Sequence, residues 1–416
     1  MKNKIFYGWW IVLSTNVICL LGFGTWLYSF GVFFKPMMSE FGWTRAMTAG
    51  AYSMRSIEGG IASPIVGWAV DKYGPRIVII IGAVIAGLGF CMMPLISSLL
   101  GFYMIYGVIL SIGMSAMLYI PAFTLIARWF KRKVSMATSV LAIGAGIGGL
   151  ICAPISAILI TNYGWRISFI IIGFTVWIVV IPLSFVVRNS PEEMGLRQDG
   201  DPPGDEDSTE EDLVVDDDED YTLKQALRSH AFWMLALSGL FQGMAHSTVI
   251  VHSIPHLTDM GIPLTQAAAS IGFLTLVSII GRVSYGYLGD RFDKRYLFVS
   301  LYVMQALGVL VLMTANSMAM VYLFIFLFGV GFGGGIPLGT AIWAEYFGRK
   351  AFGKIMGFSA PVGMISSAVG PIMAGHIFDV TGSYSYAFMA ISALVLCGSP
   401  VIMSLRKKPR NPNLKP

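Results

Sequence analysis

Charge is what this chain has least of. Only 12% of its residues are Asp, Glu, Lys or Arg, against about 25% in an ordinary soluble domain. With 56% hydrophobic residues among 416, apolar stretches long enough to span a bilayer recur from end to end, so much of that surface must face lipid. Cysteine is also scarce. Cys19, Cys91, Cys152 and Cys397 each lie in apolar sequence with no CxxC, which argues against a disulfide framework or a zinc ribbon. There is no ten-residue alternation of apolar and polar positions, so a membrane β-barrel is disfavoured. No nucleophile–base–acid constellation and no phosphate loop is visible, so neither an enzyme nor an ATP-driven pump is expected. Gly144 to Gly149 contains GxGxxG, but no strand precedes it and no ribose-binding acid follows. In an apolar span such glycines let helices approach closely. His252 and His256 are four apart, yet the Glu of a zinc helix and a third ligand are missing, so neither metal nor cofactor is expected.

What is present is a series of twelve apolar spans. They begin near Gly8, Ala46, Arg76, Gly101, Val134 and Trp165, then near Ala231, Gln266, Tyr296, Met318, Ala351 and Ser383. Backbone groups in lipid must be paired within the segment, so the spans are expected to be helices and the fold an all-α integral membrane protein. Lys2 and Lys4 precede the first run, which is too long for a signal peptide and reads as the first membrane helix. With the N-terminus in the cytoplasm, the far-side loops hold only Lys35, Arg45 and Arg166, and Arg55 and Arg282 fall inside spans. The other 23 of the 28 basic residues are then cytoplasmic. That bias places both termini inside.

The acidic residues are also unevenly placed. Fifteen of 23 lie between Asn189 and Arg228, including Asp216 to Asp220. Such a segment buries too little apolar area to fold alone. It divides the chain into a first six-helix bundle (1–188), an acidic cytoplasmic linker (189–229), a second six-helix bundle (230–404) and a basic tail (405–416). The two halves echo each other. Gly67-Trp68-Ala69-Val70-Asp71-Lys72-Tyr73-Gly74-Pro75-Arg76 follows span two, and Gly286-Tyr287-Leu288-Gly289-Asp290-Arg291-Phe292-Asp293-Lys294-Arg295 follows span eight. Trp129-Phe130-Lys131-Arg132-Lys133 pairs with Tyr346-Phe347-Gly348-Arg349-Lys350, and the same offset aligns Gly146 with Gly363 and Pro154 with Pro371. Repeats of this kind build alternating-access carriers that hold cargo near the midplane.

The Gly-x-x-x-Asp-Lys-x-Gly-x-Arg loop resembles the signature of the major facilitator superfamily. Within it the chain resembles the monocarboxylate transporters and their prokaryotic relatives, including oxalate–formate exchangers. Tyr7-Gly8-Trp9-Trp10, Trp129 to Lys133 followed by Ala137, Gly144 and Gly148, and Gly164-Trp165-Arg166-Ile167-Ser168-Phe169 carry that likeness. The resemblance implies a small organic anion as cargo and a carboxylate-binding Arg in span eight, matched by Arg282 with Gly286 four residues on. It also exposes departures. Ser278 stands where the family commonly has a proton-coupling Asp, and Tyr28 where its animal members have a Lys. No deep Lys occurs in span eleven, where oxalate exchangers carry one, since Lys354 lies too near the cytoplasmic start.

Ionisable residues inside spans are costly and mark function by default. Arg282 lies eight residues before Asp290, about 12 Å deep at about 1.5 Å per residue, near the middle of a core about 30 Å thick. No acid stands one helical turn away on its own helix. Its planar fork matches a carboxylate; the alternative is pairing with an acid from another helix. Arg55 and Glu58 share a face of span two. They read either as a self-neutralising structural pair or as a proton carrier, Glu58, tuned by Arg55. Of the span-seven histidines, the resemblance implies His252 for the pocket and for proton coupling, since the family uses that part of span seven; His246 and His256 read as packing or rim residues. Tyr119, nine residues before Arg128, is level with Arg282 and suited to reading a hydroxyl or carboxylate; Tyr28 and Phe332 are candidate walls. Asp71, Arg76, Asp290 and Arg291 are expected to form cytoplasmic gates.

The sequence thus predicts a monomeric multi-pass carrier of a bacterial cytoplasmic membrane, partnered by lipid and a small organic anion but by no nucleic acid. Proton-linked symport of a monocarboxylate such as lactate or pyruvate is the leading expectation. Carboxylate exchange and a non-transporting carboxylate sensor are the alternatives.

Overall fold

The structure is a computed structural model that describes residues 6–200, 221–348 and 352–405. The acid-rich part of the linker (201–220, with Asp216 to Asp220), Arg349, Lys350 and the basic tail from 406 lie outside the described residues.

Among the described residues every regular element is helical. Ten helical stretches are long and apolar enough to cross a bilayer: Tyr7–Phe41, Pro75–Leu95, Leu99–Trp129, Met136–Val186, His230–Asp259, Leu264–Gly289, Lys294–Thr314, Met318–Phe347, Lys354–Thr381 and Ser385–Met403. An eleventh long helix, Arg45–Tyr73, has 29 residues, but its in-span Arg55 and Glu58 dilute its hydropathy. The Met136–Val186 stretch has 51 residues, or about 77 Å of helix, more than twice the hydrocarbon thickness. Its backbone breaks at Gly164, whose φ of 77° with ψ of 165° is open to glycine and costly for other residues.

The repeated loop motif acts locally as punctuation between helices. Helix Arg45–Tyr73 ends at Gly74 with φ 84°, and Pro75 opens the next helix where its missing N–H costs nothing. In the second copy Asp293 caps helix Lys294–Thr314, accepting from the Arg295 N–H at 3.0 Å, and its carboxylate also pairs with the Arg295 guanidinium at 2.7 Å.

By contacts the chain forms two compact units. The first comprises Met1–Glu211, Thr248–Leu276 and Pro371–Tyr384; the second comprises Asp212–Ser247, Val277–Gly370 and Ser385–Pro416. In the first unit a Cβ on Gly148 would collide with the Leu20 carbonyl oxygen, so the GxGxxG run is a close helix crossing. In the second unit a Cβ on Gly333 would overlap the Ser278 carbonyl, which ties the glycine-rich stretch of Met318–Phe347 to the helix that carries Arg282.

Two helices of the first unit are locally widened. Between Phe23 and Tyr28 and between Tyr103 and Leu110 the hydrogen bonding slips by one residue, as where the Ser29 N–H reaches back to the Gly24 carbonyl at 3.0 Å. Such bulges concentrate at functional sites. Here they face each other, and the Tyr106 hydroxyl donates to the Trp26 carbonyl at 2.7 Å.

Candidate functional site

Beside the widened turn at Phe23–Tyr28 the first unit forms a half-open cavity of about 350 Å³, at the lower end of the range for small-molecule sites. Phe23, Trp26, Leu27, Met114, Leu118 and Ile120 form its apolar wall. Arg55, Ser56, Ser63, Ser115 and Tyr119 supply its polar groups. The helix carrying Tyr119 is interrupted immediately before it, at Leu118 (φ −102°, ψ −108°). The Tyr119 ring is 57% exposed and lies with its centroid 4.5 Å from that of Phe23 and 6.0 Å from that of Phe123, on which it stacks.

Arg55 is held by aromatic faces. Its guanidinium lies 4.0 Å from the Tyr52 ring centroid and 4.5 Å from that of Trp26, a cation–π arrangement. Its buried Nε has no hydrogen-bond partner. Glu58, 9% exposed, turns to a different neighbour. Ser115 donates to its Oε2 at 3.3 Å, and its Oε1 is buried without a partner. The tight self-neutralising pair that the spacing allowed is therefore not what forms.

Tyr28 shares the widened turn with Trp26 and is buried; its ring packs against Gly149 and does not line the cavity. Arg282 and Phe332 belong to the second unit. Arg282 is half-buried in helix Leu264–Gly289, one turn beyond the Ser278 carbonyl that meets Gly333. Phe332, next to that glycine, packs edge-on against His246 with centroids 4.7 Å apart.

His252 is placed differently from the sequence expectation. It is fully buried, and both ring nitrogens are engaged, Nδ1 with the Tyr384 hydroxyl and Nε2 with the Pro371 carbonyl, each at 2.8 Å. No ring nitrogen is left to meet a cargo. The histidine belongs to a network centred on Arg45, which is 6% exposed. Arg45 Nη1 donates to Tyr384 at 2.7 Å, and Nη2 pairs with Asp259 at 2.6 Å. Its guanidinium also lies 3.5 Å from the Phe378 ring centroid. Asp379 accepts from the backbone N–H groups of Arg45 and Ala46 at 2.8 and 2.9 Å. Lys35 joins the same Asp259 at 2.7 Å, and Arg166 pairs with Glu40. The three cations assigned to the far side all have acid partners. Sequence reasoning missed this network because its members lie far apart along the chain; the clue was that so few cations occur on that side.

Of the proposed gates, Asp71 and Asp290 are exposed. The Arg76 N–H donates to Asn189 Oδ1 at 3.1 Å, and the Arg291 guanidinium lies over the Tyr287 ring at 4.1 Å. Among the described residues no three His, Cys, Asp or Glu side chains gather as a metal site would need.

Comparison with known proteins agrees with this architecture. A family model described as Major Facilitator Superfamily matches residues 15–286 and 274–416. The chain belongs to that superfamily: it is a multi-pass membrane transporter and not an enzyme. It resembles the monocarboxylate transporters over nearly its whole length. Monocarboxylate transporter 13 of Bos taurus is 25% identical, with 96% of this chain and 89% of the relative covered. Monocarboxylate transporter 2 of Homo sapiens is 26% identical, covering 94% and 84%. Among solved structures, a bacterial homolog of the human lysosomal transporter Spinster, inward-facing and occupied, shares the fold at a TM-score of 0.75 and 14% identity, covering 96% of this chain and 97% of that one.

Proposed function

We propose that this protein carries a small organic anion by alternating access, and that the cargo is a monocarboxylate such as lactate or pyruvate. The observation that supports it most is Arg282, a permanent cation about 12 Å inside an apolar helix. Around it lies a chain that matches relatives named monocarboxylate transporters over 94–96% of its own length. Arg282 binds the carboxylate. Phe332 stands on the helix packed against that of Arg282 in the second unit, and in the first unit Tyr119 offers a polar group of the cavity wall to the cargo. His252 acts in the Arg45 network, which we assign to the far-side lock, and Asp71, Arg76, Asp290 and Arg291 act as cytoplasmic gate residues. Arg45–Tyr73 and the two limbs flanking Gly164 bring the membrane helices to twelve, with both termini in the cytoplasm, and the chain works as a monomer in a bacterial cytoplasmic membrane.

The mode is proton-linked symport, with Glu58 as the proton carrier because it is the buried in-span carboxylate of the first half. The test is uptake of labelled L-lactate into liposomes with and without an inward proton gradient. Gradient-stimulated uptake abolished by Arg282→Ala, in protein that still elutes as a folded species, is expected. Wild-type uptake by the variant would remove Arg282 from the site. Entry only into vesicles preloaded with another carboxylate would make the protein an exchanger.

A further inference from the structure

We propose that the Arg55 cavity is an anion subsite in its own right, switched on when a proton binds Glu58 behind its wall, so that one small carboxylate in the cavity and one proton on Glu58 are bound together. This rests on the carboxylate reading above and adds a second cation to it, with a defined occupant and a defined condition for binding.

Two neighbouring charges diverge. Arg55 and Glu58 share a helix face, and the cheapest arrangement for two charges away from water is a close, hydrogen-bonded pair. Instead Arg55 lies against two rings, hydrogen-bonded to Tyr52 and with its Nε unbonded, and it forms part of the cavity wall. Glu58 faces Ser115, with one oxygen in a long hydrogen bond and the other in none. An ionised carboxylate that buried and that poorly solvated is costly. As the neutral acid it has a hydroxyl to donate and far less charge to solvate.

The charge arithmetic gives the coupling. With Glu58 ionised, the pair is neutral and Arg55 already has a counter-charge nearby. A proton binding a Glu58 oxygen forms one O–H bond, breaks none, and leaves Arg55 as a net positive charge facing the cavity. A carboxylate restores neutrality by hydrogen bonding to the guanidinium. One anion and one proton therefore enter without net charge. The other ionisable groups facing the pair do not supply an alternative. Tyr52 offers its ring face and a side-chain hydrogen bond to Arg55, the Tyr106 hydroxyl is spent on Trp26, and Tyr119 is the remaining titratable group of the wall. The wall contains no acid. Serine hydroxyls on one side and aromatic and aliphatic surface on the other select a carboxylate with a short apolar or aromatic body.

The experiment uses the full chain purified in lipid nanodiscs, with L-lactate, pyruvate and benzoate as probes between pH 5 and pH 8. Wild-type affinity is expected to fall about tenfold per pH unit above the midpoint, as linkage to one proton requires. Infrared spectra should show a protonated carboxyl band at low pH. Glu58→Gln should abolish that band and flatten the pH dependence to less than about twofold. Arg55→Gln should keep the band and weaken low-pH binding by about tenfold or more, the loss of one charged contact. A Glu58→Gln protein with the wild-type slope, or an Arg55→Gln protein with wild-type affinity, overturns the proposal. Arg282→Ala separates the two readings. Wild-type binding by that variant, with the Arg55 and Glu58 results as expected, removes Arg282 and leaves this subsite standing. No binding of any probe at either pH removes both.

Discussion

Arg45 Nη2 lies 2.6 Å from Asp259 Oδ2, and the same guanidinium donates through Nη1 to the Tyr384 hydroxyl at 2.7 Å. The pair ties the start of one long helix to the end of another. Arg45 is nearly buried while Asp259 is partly exposed, with a side-chain exposure of 28%. The interaction therefore falls between exposed pairs, worth 0–1 kcal/mol, and buried ones, whose disruption costs about 3–5 kcal/mol. Asp259→Asn removes the counter-charge of both Arg45 and Lys35. A loss of about 2 kcal/mol is expected, read as a lower melting midpoint in detergent. An unchanged midpoint would show that Asp379 and the ring contacts hold Arg45 unaided.

His252 tests whether that network is structural. Its two hydrogen bonds run from the Tyr384 hydroxyl through the imidazole to the Pro371 carbonyl. His252→Ala leaves the hydroxyl and the carbonyl without their partner and opens a buried void, at about 2–4 kcal/mol together. The melting midpoint should fall, while the affinity of the folded protein for L-lactate changes by less than about twofold. A tenfold loss of affinity with normal stability would return His252 to the cargo site.

The helix crossing beneath Arg282 makes a sharper prediction. Gly333→Ala drives a methyl group into the Ser278 backbone carbonyl, which has no flexible end to move aside. Overpacking of this kind costs about 1–3 kcal/mol, and relief must shift the turn that carries Arg282. L-lactate uptake should drop about tenfold. Gly339→Ala, six residues along the same helix, meets nothing within 4 Å and should match wild type. Equal behaviour of the two variants would contradict the close crossing.

What could be read from the sequence follows from range. Helical spans, the charge bias of the loops and the duplicated motifs are local or periodic, and the helical fold they implied is the one found. Arg282 stood out because a cation in an apolar run needs no partner to be noticed. The Arg45 network was invisible because Asp259, Asp379 and Tyr384 come from distant segments, and His252 was misplaced for the same reason. For Arg55 and Glu58 the spacing gave the shared face correctly. The contacts that pull them apart come from Trp26 on the first helix and Ser115 on the fourth. The widened turns left no mark either, since Phe23–Tyr28 and Tyr103–Leu110 have the apolar composition of any span.

Those turns carry the last prediction. Trp26 holds Arg55 from one side, and the Trp26 carbonyl accepts the buried Tyr106 hydroxyl at 2.7 Å. Tyr106→Phe keeps the ring and removes the donor, leaving a buried carbonyl short of a partner at about 1–3 kcal/mol. The melting midpoint should fall, and release of the Trp26 turn should loosen Arg55, weakening low-pH L-lactate binding by about fivefold, equivalent to about 1 kcal/mol. Tyr103→Phe is the matched comparison. Its hydroxyl donates to the Met47 carbonyl at 2.8 Å, a contact with no residue of the cavity wall, so low-pH binding should stay near wild type. Equal losses of binding in the two variants would show that the bond to Trp26 holds nothing that the cavity needs.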